Sequence, residues 1–168
     1  MGTFTEVVLG FSFRADAPDH VIAAFSGLVP PDERAALPGL PPPHDVDEDF
    51  GDWEPTDEIS DPASDPEPWR HDWAGWLAQS MSVSIVPHSQ LVRSELDRWA
   101  VTCRWGMKSW PESILAALQW LGPYLEGHPD GPELLGYMQY GGAPRPFLVW
   151  LTPQATLELE DLNPDGSY

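Results

Sequence analysis

The sequence predicts an α+β sandwich. Three observations carry that reading: segments of period two alternate with segments of period 3.6, turn residues separate them, and strands and helices interleave along the chain. Thr5 to Arg14 opens as a strand, with Val7, Leu9, Phe11 and Phe13 on one face. Asp16 then stands where an N-cap is expected, ahead of Pro18 in a first helical turn. Val21, Ile22, Phe25, Leu28 and Val29 follow at helical spacing, and Pro30-Pro31 stops that helix. Trp69, Trp73, Trp76 and Leu77 give a short amphipathic helix. Met81, Val83 and Ile85 alternate with serines as a half-buried strand, broken at Pro87 and resumed over Leu91 to Arg93. Ser94 to Asp97 reads as a hairpin turn. Trp99, Val101, Cys103, Trp105 and Met107 then share one strand face.

Ser109 and Glu112 match a capping box, with Pro111 inside the first turn. Ile114, Leu115, Leu118 and Leu121 make the buried stripe of that helix, which Gly122-Pro123 ends or kinks. Leu134–Tyr140 and Phe147–Leu151 pair across a Gly-rich turn, and Thr156 to Leu162 adds an edge strand with Glu158 and Glu160 toward water. Setting aside the acidic stretch between the first helix and the second strand, the first six elements spell βαββαβ. That is the split-βαβ, ferredoxin-like pattern, with an extra C-terminal hairpin strand. Right-handed crossovers place strands 1 and 3 in the middle.

With 168 residues the chain suits one domain, 1–168, with a core of its own. It carries 27 acidic and 8 basic residues, a formal charge of -19. The imbalance is concentrated. Residues 31–72 hold 14 of the acids, two of the bases and nine of the 20 prolines. Such a stretch lacks the apolar surface to fold alone, so residues 31–66 read as an acidic, Pro-rich insertion. A phosphate binder needs a basic patch, and an anionic membrane surface repels this charge, so neither nucleic acid nor membrane is an expected partner. A single cysteine excludes an internal disulfide and a Cys-rich zinc site. The N-terminal run alternates and has no basic flank, so it reads as a strand and not a signal peptide, and no apolar run approaches a membrane span. The cytoplasm is the expected location.

The chemistry-bearing residues form no recognised motif. His20, His44, His71, His88 and His128 lack the spacing that puts two ligands on one helix face. The run Asp45-Val46-Asp47-Glu48-Asp49-Phe50-Gly51-Asp52 fails the EF-hand register, because its glycine falls one place late and position twelve is Thr56. Cys103 shares a face with Val101 and Trp105, which predicts a buried structural thiol. No nucleophile elbow, phosphate loop or dinucleotide fingerprint is present. No metal, cofactor or catalytic residue is therefore expected.

Residues 104–152 have a recognisable rhythm. Trp105-Gly106-Met107-Lys108-Ser109-Trp110 leads to Trp120-Leu121 and Pro123-Tyr124, then to Leu135-Gly136-Tyr137, Tyr140 and Pro146-Phe147-Leu148-Val149. This stretch resembles small uncharacterised bacterial proteins with an LK-x-W/Y, W-I/L-x-P-Y, LGY-x-x-Y, P-x-L pattern. The resemblance implies neither an activity nor a catalytic residue.

The expected function is a non-catalytic protein-binding module for a basic protein partner. An immunity or antitoxin-like inhibitor is one form of it, and a mimic of nucleic-acid charge is another. The expected binding residues are Asp45, Asp47, Glu48, Asp49, Asp52 and Trp53, with Trp69, Trp73 and Trp76. Aromatic residues dominate binding hot spots, and charge steers encounter. Homodimerisation through the sheet is a further expectation, by fold-level analogy. The alternative is a small-molecule or metal-dependent binding protein or enzyme with a pocket on the sheet.

Overall fold

The computed structural model describes residues 4–43, 77 and 87–163. Along the chain these form β1 (Thr5–Ser12), α1 (Asp19–Ser26), β2 (His88–Arg93), β3 (Trp99–Met107), α2 (Pro111–Leu118), β4 (Glu133–Tyr140), β5 (Phe147–Leu151) and β6 (Leu157–Asp161). Short 3₁₀ turns lie at Arg34–Ala36 and Gln119–Tyr124. The fold is α+β: a six-stranded sheet in the order β2-β3-β1-β4-β5-β6, with every neighbour antiparallel. The hairpin strand and the edge strand expected after the sixth element are both present, as β5 and β6. β5 and β6 both extend the sheet beyond β4, because the C-terminal segments continue as hairpins.

Alternation decides which side of the sheet is core. Val7, Leu9, Phe11 and Phe13 on β1 and its extension are buried, as are Val101, Cys103, Trp105 and Met107 on β3. Register brings them together, with Val7 opposite Trp105 and Leu9 opposite Cys103. α1 covers this side through Phe25, whose ring lies 6.1 Å from Phe11 and 5.5 Å from Phe13. Each such aromatic pair adds about 0.5–1.5 kcal/mol beyond area burial. α2 contributes Ile114, Ala117 and Leu118 to the same core and packs on β4 and β6. Leu77 is helical and 2% exposed, in agreement with its predicted place on a buried helix face. The rest of that helix and the strand over Met81 to Ile85 lie outside the described residues.

The helix starts differ from the sequence reading. α1 begins at Asp19 behind Pro18, not at Asp16. The Asp16 carboxylate instead accepts two hydrogen bonds from Arg14, at 2.9 and 2.8 Å. The Ser109–Glu112 capping box does not form. Trp110 is the N-cap of α2, in an extended conformation and without a side-chain cap bond. Two long-range contacts hold the chain there: the Thr5 hydroxyl donates to the Ser109 carbonyl, and the Trp110 ring stacks on Tyr140 at 4.4 Å. Tertiary contacts have displaced a local cap.

The first part of the predicted insertion is mostly exposed but is anchored to the fold at a few side chains. Arg34 donates to the carbonyls of Val29 and Ser26, each at 3.1 Å, which satisfies backbone groups left open beyond α1. Leu37 and Leu40 lie against the core. At the other end of the chain, Gln119 clamps β6, donating to the Leu157 carbonyl at 2.7 Å and accepting from its N–H at 3.1 Å.

Candidate functional site

The opposite side of the sheet carries neither α1 nor α2. Strand alternation places there the residues that the core leaves over. One row crosses all six strands: His88, Arg104, Val8, Tyr137, Leu148 and Glu160, each in register with the next. Beside it, Leu134 pairs with Trp150 and Trp150 with Glu158. The exposed large hydrophobic residues among those described are Val92, Leu96, Trp110, Leu134 and Tyr137. Three of them lie on this open face: Val92 at 41%, Leu134 at 49% and Tyr137 at 37% exposed. The centre of the face is thus an apolar strip in which Leu134 and Tyr137 are exposed and Val8, Leu148 and Trp150 half-buried. A monomer rarely leaves such contiguous surface in water without a use for it.

Charge frames the strip unevenly. On the β6 margin Glu158 and Glu160 are exposed, and Glu160 accepts from the Trp150 indole at 2.8 Å. On the β2 and β3 margin stand His88 and Arg104, the latter bonded to Glu6 at 2.5 Å. The described arginines are all engaged within the fold. Arg14 pairs with Asp16 at 2.8 Å, Arg93 with Asp97 at 2.7 Å and Arg98 with Glu126 at 3.4 Å. Arg34 and Arg145 reach backbone carbonyls. Hydrogen bonding from Arg14 and from Arg93 holds the carboxyls of Asp16 and Asp97 below their ordinary range.

Cys103 is buried as predicted, with its thiol 3.6 Å from the Leu9 carbonyl. Burial pushes its pKa up to about 12, because the thiolate cannot be solvated there. An alkylating reagent at pH 8 is expected to leave Cys103 unmodified in the folded protein and to label it fully in denaturant. Labelling at equal rates in both states would show the thiol accessible. The raised value also sets a sign. The unfolded thiol ionises first, so this group's contribution is whole below pH 9 and is lost as pH rises toward 12.

The predicted binding residues Asp45, Asp47, Glu48, Asp49, Asp52, Trp53, Trp69, Trp73 and Trp76 lie outside the described residues, as do His44 and His71. His88 is exposed on the open face, and His128 accepts from the Asp130 N–H at 3.2 Å. Among the described residues no group of three or more His, Cys, Asp or Glu side chains could hold a metal ion. No helix among them is long and apolar enough to cross a membrane.

The apolar strip on the open face was not read from the sequence, although a signal for it exists. Phe147-Leu148-Val149-Trp150-Leu151 is apolar in both phases of the alternation. A strand of that kind has no polar side to give to water. No protein-family model, no curated protein and no solved structure matches this chain.

Proposed function

We propose that the chain is a non-catalytic protein-binding module that takes a basic protein partner in the cytoplasm. The supporting observation is the engagement of every described arginine with an acid or a carbonyl inside the fold. The fold uses its few cations internally and leaves acids such as Glu158 and Glu160 exposed. A surface of one sign repels phosphates and steers cationic partners. The acids Asp45, Asp47, Glu48, Asp49 and Asp52, with the neighbouring tryptophans, belong to the same reading. The scaffold is a split-βαβ, ferredoxin-like unit of β2-β3-β1-β4 with α1 and α2, lengthened by β5 and β6. The antiparallel placement of β1 between β3 and β4 supports that reading.

Affinity capture from a cell lysate tests the proposal, using the intact chain beside a Glu158→Lys/Glu160→Lys variant. The intact chain is expected to retain a basic protein at low salt and the variant to retain less. The association rate of that protein should fall about tenfold or more as salt is raised, since screening shortens the reach of charge. Recovery that is equal for both chains and unchanged by salt would overturn the proposal.

A further inference from the structure

We infer that the open face of the sheet docks a second copy of this chain, face to face, about a two-fold axis running parallel to the strands between β1 and β4. The inference does not depend on the basic partner. Three observations carry it: an apolar strip with Leu134 and Tyr137 exposed, its central position, and the size of the face.

A two-fold axis parallel to the strands lays the strand order of one copy over the reverse order of its mate. β1 then faces β4 of the second copy, so Val8 meets Tyr137 and apolar surface meets apolar surface at the axis. The β2 margin faces the β6 margin. His88 of one copy lies over Glu160 of the other, with Arg104 beside Leu148. The same contacts repeat on the far side of the axis, so one pair of margins supplies two. An axis perpendicular to the strands would instead lay each strand on itself, setting Glu158 and Glu160 against their own copies. Like charges opposed in this way disfavour that alternative. Strands of the two sheets run nearly aligned in the favoured arrangement, as in a β-sandwich.

The size agrees. Six strands about 4.8 Å apart, with side chains every 3.4 Å along them, give a face of roughly 24 Å by 20 Å. Two such faces bury about 1,000 Å² or more, the lower bound of specific interfaces, so the expected dimer dissociates in the micromolar range. Each copy carries a charge of -19, so long-range repulsion opposes association. Moderate salt should therefore strengthen the dimer by screening the net charge while leaving the apolar contact intact.

Sedimentation of the full chain across a concentration series tests this at moderate salt. A monomer–dimer equilibrium is expected. Tyr137→Glu and Leu134→Glu, both at exposed positions, should each weaken the dimer at least tenfold while keeping the wild-type circular dichroism. His88→Glu should weaken it by setting an acid against Glu160, and adding Glu160→Arg to the same chain should restore it, because the two positions oppose each other across the axis. Disulfide capture gives a second readout that does not use charge. An equimolar mixture of Val8→Cys and Tyr137→Cys chains should cross-link faster than either chain alone. A chain that stays monomeric up to about 100 µM would overturn the inference. So would a dimer indifferent to these substitutions, or cross-linking no faster in the mixture.

Discussion

Gly136→Ala is expected to lower stability by about 4 kcal/mol or more, enough to leave the domain largely unfolded at moderate temperature. Gly136 sits at the β-bulge of β4, where the register to β5 slips between Leu134 and Gly136. Its φ of 153° is one that side chains rarely adopt. A Cβ there would stand 2.0 Å from the Val8 carbonyl oxygen and 3.0 Å from the Leu9 Cα. Both atoms are backbone of the central strand β1, so no rotamer change relieves the clash. The strands would have to separate, and β1–β4 pairing joins the β2-β3-β1 half of the sheet to the β4-β5-β6 half. Urea denaturation checks this through the midpoint at unchanged slope. A loss under about 1 kcal/mol would show that the bulge yields and the argument fails.

Gly122→Ala should cost nearly as much, for a related reason. Gly122 lies in the 3₁₀ turn after α2, against the loop between β5 and β6. An added Cβ would fall 2.1 Å from the Ala155 carbonyl oxygen. Ala155 is itself held at a φ of 60°, so the loop has little freedom to retreat. The Gln119 side chain fastens the same turn to Leu157 on β6. Moving the turn away would break those bonds and expose Leu121 and Leu157, which are 1% and 3% exposed. A loss of about 3 kcal/mol or more is expected, read by thermal and urea unfolding, with β6 amides exchanging faster than the rest of the sheet. Uniform exchange and wild-type stability would show that the loop adapts freely.

Both glycines fall within residues 104–152. Gly122 lies in the Trp120 to Tyr124 segment and Gly136 in Leu135-Gly136-Tyr137. The structure gives each a packing reason. The rhythm of residues 104–152 therefore records how β4, β5, β6 and the 3₁₀ turn fit together. Within it Trp110 and Tyr137 reach outward, and the bulge leaves Tyr137 on the open face beside Val8.

The sequence by itself determined the α+β class, the positions of the described strands and helices to within a few residues, and the buried phase of β1 and β3. It also determined the acidic excess and the lack of a recognised catalytic motif. These are properties of neighbouring residues: alternation, helical spacing, turn residues and charge are all local. Only the tertiary structure decided that Trp110 and not Ser109 caps α2, because the contact holding Ser109 comes from Thr5, 104 residues away. Only it decided that two glycines stand where backbones nearly touch, and that Val8, Tyr137, Leu148 and Trp150 share the side of the sheet that carries neither α1 nor α2. Those outcomes follow from register between strands distant along the chain. Each strand has at least one apolar residue on the core side, but one face of a sheet can be covered while the other stays open. Which face is covered depends on where the connecting helices land.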